Sequence, residues 1–156
     1  MDKRKYTLLW LLPLVATTLA FILSFEGCTP KPTEAPTTTV ITGTAQLSVS
    51  LGDNRDSYSF VSGGVNYGKI TLVYLSSEVV GFEANGVMEG SGTTAPDSGY
   101  TTSPVTVSDG YSYFVKTDNV VHYARVTAVS RSVSAGYVTI GFQWVLQTVA
   151  NNRNLY

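Results

Sequence analysis

From Val40 to the C-terminus, apolar and polar residues alternate along much of the chain, the period-two signature of strands with one buried face. "TAQLSVSLGD" sets Leu47, Val49 and Leu51 on one face and Gln46, Ser48 and Ser50 on the other. "DSYSFVSGG" continues with Tyr58 and Phe60 and closes on Gly63-Gly64. "GKITLVYLSS" is apolar at nearly every position, which predicts a strand covered on both sides. "VVGFEANGV" reads as a shorter strand ending in an Asn85-Gly86 turn. "YSYFVKTDNVVHYARVTAVS" reads as two strands around Asp118-Asn119, a pair that tolerates left-handed backbone. The cleanest alternation is "GYVTIGFQWVLQT", with Val138, Ile140, Phe142, Trp144 and Leu146 inward and Thr139, Gln143 and Gln147 outward. Residues 89–104, "EGSGTTAPDSGYTTSP", are too rich in Gly, Ser, Thr and Pro for a regular element and read as a long surface loop. No stretch of the domain carries a helical period. The expectation is an all-β fold, an antiparallel sandwich or flattened barrel of about eight strands.

The first forty residues follow a different pattern. Lys3, Arg4 and Lys5 precede an uncharged, mostly apolar run from Leu8 to Phe25, the order of an export signal. This run predicts an N-terminal hydrophobic signal or anchor helix over 1–27, and its length just reaches what a membrane span requires. A tether over 28–40 follows, in which Pro30, Pro32 and Pro36 fix φ and remove donors, making a semi-rigid spacer. The folded domain is then 41–156.

The single cysteine, Cys28, stands at the junction of signal and tether, directly after Gly27. That stretch resembles the lipobox of a lipoprotein signal, although Phe25 and Glu26 stand where Leu and a small residue are usual. The resemblance implies that Cys28 carries a diacylglyceryl group and becomes the first residue of the mature chain. An uncleaved signal-anchor and ordinary secretion are the alternatives. Each places residues 29–156 outside the cytoplasmic membrane, at the membrane, at the cell surface or secreted.

Composition narrows the function. Charged residues make up only 13% of the chain, and beyond residue 27 seven Lys/Arg stand against nine Asp/Glu. With no basic stripe to follow phosphates, nucleic acid is excluded as a partner. One cysteine forms no internal disulfide, so the core alone must hold the fold. The chain has no G-x-S-x-G and only one histidine, His122, read as a half-buried mid-strand residue on the face of Ala124 and Val126. One His and one Cys fall short of a zinc set. Asp53 and Asp56, in "GDNRD", are weak candidates for Ca²⁺, read first as a solvated turn. Glu78, Glu83 and Glu89 offer a glycosidase-like pair on paper, set aside because so small a domain predicts no deep cleft. No cofactor is expected.

Residues 111–156 resemble HmuY-type exported β-domain lipoproteins through "YSYFVKTDNVVHYARVTAV", "YVTIGFQWVLQT" and "NNRNLY". The resemblance implies an exported β-fold and, through the family's haem-binding members, a haemophore-like carrier. Those members use two axial histidines, whereas this chain has His122 alone, and nothing in spacing links Met88 to it.

The surplus in the domain is aromatic: nine tyrosines follow the anchor. Tyr100, Tyr111, Tyr113 and Tyr123 are the candidate ligand-binding residues, since exposed tyrosines stack on sugars or form contact patches. The function expected is a non-enzymatic, membrane-tethered binding or adhesion domain. Its partner would be an extracellular protein, glycan or small molecule met by the 89–104 loop. The alternatives are a surface-layer or filament subunit, self-associating by strand addition through "TTTVITGTAQLSVS", and the haemophore-like carrier.

Overall fold

A computed structural model of the protein describes residues 39–52 and 54–156. The signal, Cys28, the tether up to residue 38 and Asp53 lie outside the described residues. Among the described residues no helix is long and apolar enough to cross a membrane.

Nine strands follow one another: β1 (Val40–Ser50), β2 (Arg55–Ser62), β3 (Val65–Ser76), β4 (Val79–Glu83), β5 (Gly86–Glu89), β6 (Val105–Thr106), β7 (Ser112–Lys116), β8 (Tyr123–Ser134) and β9 (Tyr137–Gln147). They form two antiparallel sheets, a five-stranded one ordered β1-β9-β8-β7-β5 and a four-stranded one ordered β2-β3-β4-β6. The all-β sandwich is therefore as expected, with nine strands in place of about eight. The elements the pattern did not set apart are the two shortest, the four-residue β5 and the two-residue β6, too short to leave a periodic signal.

Turn chemistry explains three of the connections. Gly63-Gly64, Ser77-Glu78 and Ala135-Gly136 each place two successive residues at positive φ. That is the twist a two-residue hairpin needs to match its strands. The β2–β3, β3–β4 and β8–β9 pairings follow directly. The chain also turns at Asn85-Gly86, after β4 ends. It closes no hairpin there, because β4 pairs with β3 and β6 while β5 pairs with β7 in the other sheet. The turn is a crossover between layers.

The core is the alternation made solid. Ile140, Phe142, Trp144 and Leu146 of β9 and Leu47 and Val49 of β1 meet Phe60, Ile70, Leu72, Val80 and Phe82 of the opposite sheet. The aromatic rings interlock edge to face: Phe60 on Trp144 at 5.4 Å, and Phe82 on both Tyr113 and Phe142 at 5.4 and 5.9 Å, a geometry favoured by ring quadrupoles. Burying about ten such side chains contributes roughly 1.5–3 kcal/mol each, before the conformational entropy lost on folding is subtracted.

A second, smaller cluster sits around Phe114, whose parity on β7 is opposite to that of Tyr113 and Val115. Ala95, Tyr123 and Leu155 complete it, with Met88, Tyr100, Val121 and Val145 against its rim. Residues 90–104 carry no named strand and are mostly exposed, the surface loop expected, but the loop is pinned in place. The Ala95 amide donates to Arg153 O at 2.9 Å, the Leu155 amide to Thr93 O at 2.7 Å, and Val87 and Thr101 exchange two backbone bonds. The segment is a strap tied down by the C-terminal tail. The same tail overturns one outward assignment on β9: Gln147 is 1% exposed, donating to Asn154 O at 2.8 Å and accepting from the Val149 amide at 3.0 Å.

Candidate functional site, a polar groove on the four-stranded sheet

On β2, Tyr58 and Phe60 turn inward, so Arg55, Ser57 and Ser59 face out; on β3, Lys69 and Thr71 do the same. Register places Ser57 beside Thr71, Ser59 beside Lys69, and Thr71 beside Glu83 of β4. This polar face forms the floor of a groove of about 500 Å³. The Ser57 and Thr71 hydroxyls are 2.9 Å apart. Arg55 Nη1 reaches Glu83 Oε1 at 2.6 Å, an exposed ion pair. Lys69 makes no ion pair among the described residues, which leaves its ammonium available at the groove.

One wall comes from the loop after β7. Lys69 N–H donates to Thr117 O at 3.0 Å, and the Thr117 hydroxyl donates to Tyr67 O. Gly68 permits this approach: its φ is +95°, and a Cβ there would stand 2.1 Å from Thr117 O. Asn85 Nδ2 donates to Asn119 Oδ1 at 3.2 Å across the mouth. Behind this wall Asp118 Oδ1 accepts the His122 amide at 2.9 Å, and Asp118 Oδ2 lies 2.6 Å from His122 Nδ1. The imidazole stands edge-on to Tyr67, with centroids 5.2 Å apart. His122 thus belongs to the connection just before β8 and not to mid-strand. Val121 beside it has φ +64°, a strained value for a β-branched residue, held by the Asn151 amide on Val121 O at 2.9 Å.

The four tyrosines singled out from the sequence are not brought together on one surface. Tyr113 is fully buried, its hydroxyl accepting from the Ser108 amide at 2.8 Å and donating to Thr106 O at 3.1 Å. Tyr123 is 7% exposed, within the smaller cluster. Tyr100 packs on that cluster's rim beneath Lys116, whose Nζ lies 4.4 Å from the ring centroid. Burial drives the Tyr100 phenol well above its ordinary pKa, with a further push from Tyr123. Only Tyr111, 52% exposed, meets solvent broadly, over a shallow depression of about 280 Å³ shared with Glu89, Gly90 and Ser91.

Asp56 lies in β2 and not in a turn. Its two carboxylate oxygens accept the Ser48 and Ser57 amides, each at 2.9 Å, so it serves as a backbone cap. Met88 packs against the smaller cluster, while His122 is engaged by Asp118. Among the described residues no three His, Cys, Asp or Glu side chains gather closely enough to hold a metal ion.

No family model, no curated protein and no solved structure matches this chain. The HmuY-type resemblance of residues 111–156 accordingly rests on its sequence motifs alone.

Sequence reading missed the groove because Ser57, Ser59, Lys69 and Thr71 look like ordinary outward strand positions. The usable signal was their chemistry: two neighbouring strands spend these outward positions on hydroxyls and two cations, Arg55 and Lys69.

Proposed function

We propose that the domain is a non-enzymatic extracytoplasmic binding module whose polar groove takes a hydroxyl-rich, carboxylate-bearing ligand such as a segment of acidic glycan. The observation that carries this reading is the lining of one concavity: hydroxyls of Ser57, Ser59 and Thr71, amides of Asn66, Asn85 and Asn119, and the Lys69 ammonium, beside the carboxylates of Glu83 and Asp118, which are engaged by Arg55 and His122. Such groups supply donors and acceptors at fixed spacing for a polyhydroxylated chain, and Lys69 supplies a charge for an acidic one. The export-type N-terminus and the Pro-rich spacer support a place outside the cytoplasmic membrane, tethered through Cys28 or through an uncleaved anchor.

Two measurements test it. Titrating the full chain with a panel of neutral and uronic-acid-containing oligosaccharides should shift the backbone NMR signals of Asn66, Asn85 and Asn119. Lys69→Ala should then weaken binding of the acidic members about tenfold or more, the value of one charge-assisted hydrogen bond. Shifts confined to Tyr111 and its depression, or none, would reject the groove. Intact mass of the membrane-extracted chain tests the tether: a chain beginning at Cys28 with added diacylglyceryl mass is expected.

A further inference from the structure

Each sheet of the sandwich has two edges, and three of the four are blunted. β6 is two residues long. β5 is covered where Val87 and Thr101 exchange backbone bonds. β2 carries Arg55 and Asp56 and a register shift between Ser59 and Val61. These are the ordinary protections against edge-to-edge pairing. β1 has none of them: eleven residues in unbroken register with β9, with no charge and no proline.

The direction of its free groups can be read from its bonds. Leu51 N–H donates to Gly136 O at 2.8 Å and Thr148 N–H to Thr39 O at 2.7 Å, so odd-numbered residues turn their amides and carbonyls toward β9. Even-numbered residues turn theirs away, as Ser48 confirms by donating to Asp56 at 2.9 Å. The N–H and C=O groups of Val40, Thr42, Thr44 and Gln46 therefore point outward, with no strand beside them among the described residues.

We propose that this edge is the docking site for a second copy of the chain, β1 against β1, antiparallel about a two-fold axis through Gly43. In that register Val40 of one copy faces Gln46 of the other, and Thr42 faces Thr44. All four outward residues of each copy then exchange both of their hydrogen bonds. Asp56 fixes the register from outside, since the Ser48 amide it holds is withdrawn from pairing. At the axis the two glycines form the closest type of antiparallel pair and bring no side chain into it. A concavity of about 320 Å³ lies over the β1–β9 pair at this point, lined by Thr42, Gly43, Thr44, Gln143, Trp144 and Val145.

An uncharged strand meets its own copy without like-charge opposition, and Thr–Thr pairs across strands are favourable. A pairing of identical edges also closes after two chains and leaves no further edge to grow from. The chain's own residues 29–38 are poorer occupants, because Pro30, Pro32 and Pro36 have no N–H to give. This inference is independent of the groove, which lies on the other sheet.

The test uses the full chain in detergent micelles that hold one anchor each. Sedimentation across a concentration series should show a reversible monomer–dimer equilibrium. Amide exchange should slow about tenfold or more at Val40, Thr42, Thr44 and Gln46 as concentration rises, leaving odd-numbered β1 amides unchanged. Thr44→Pro removes one outward N–H and none that pairs with β9; it should leave a monomer with an unaltered circular dichroism spectrum. Thr42→Lys, a gentler change, should weaken the dimer by like-charge opposition. A monomer at every concentration overturns the proposal, as does a dimer indifferent to both variants. Protection of the four amides that is independent of concentration overturns it as well, since another segment or a bound peptide then holds the edge.

Discussion

The indole of Trp144 lies across Gly43 so closely that a Cβ on that glycine would stand 2.5 Å from Cζ2 and 2.7 Å from Cε2. The two are register partners on β9 and β1, and the ring fills the space between the sheets that a side chain on β1 would otherwise take. Gly43→Ala is expected to cost about 1–3 kcal/mol by overpacking a rigid ring system. Urea unfolding followed by Trp fluorescence checks it, and the emission should also shift as the indole is displaced.

Gly68 is constrained twice, by φ +95° and by Thr117 O at 2.1 Å from a built Cβ. Gly68→Ala should therefore destabilise by at least about 2 kcal/mol, from backbone strain and steric overlap together. Because Gly68 and Thr117 both line the groove, ligand affinity should fall with stability. Denaturant melts and a parallel titration separate the two effects.

Tyr113 and Tyr100 predict opposite outcomes for the same change. Tyr113→Phe strips a hydroxyl that serves both the Ser108 amide and Thr106 O, and should cost about 1–3 kcal/mol for the groups left unpaired. The Tyr100 hydroxyl is buried with no partner among the described residues. Tyr100→Phe should therefore be neutral or slightly stabilising.

The same two phenols set an alkaline limit. Burial raises both above the ordinary value of 10.0, so in alkali the unfolded chain loses these protons while the folded chain keeps them. Fewer protons bound in the unfolded state makes stability fall as pH rises. Below pH 10 the two contribute no slope; above it, the denaturation midpoint should decline steadily, and Tyr100→Phe should make that decline shallower. A flat profile above pH 10 would contradict this account.

Gln147→Leu should cost about 1–3 kcal/mol, since Asn154 O and the Val149 amide lose their partner. The consequence should spread to the strap. Exchange at the Ala95 and Leu155 amides, which bridge strap and tail, should quicken more than exchange at Ile140 in the core.

These residues also show where sequence reading succeeds. The inward set on β9 and the Gly63-Gly64 hairpin were legible because both depend on near neighbours: parity in one case, two positive-φ residues in the other. Asn85-Gly86 marked a turn but not its destination. Turn chemistry is local, but which sheet receives the next strand depends on partners such as Lys116, paired with Gly86 thirty residues on. Tyr113 and Phe114 point to opposite faces, yet both are buried because a strap and a tail cover the outer one. Nothing near residue 113 announces that cover. The groove was illegible in the same way, since it exists only where β2, β3 and the 117–119 loop meet.

The pairing of Val40 with Gln147 has a bearing on time as well as on shape. Among the described residues β1 has no strand partner but β9, so β1 must wait for β9 before it can pair. The closing backbone bonds, from Leu155 to Thr93 and from Ala95 to Arg153, involve residues that follow β9. Contacts so distant in sequence form late and slowly. A chain wired this way leaves β1 waiting in an open state through most of the assembly of the domain, and the sandwich closes only when β9 reaches it.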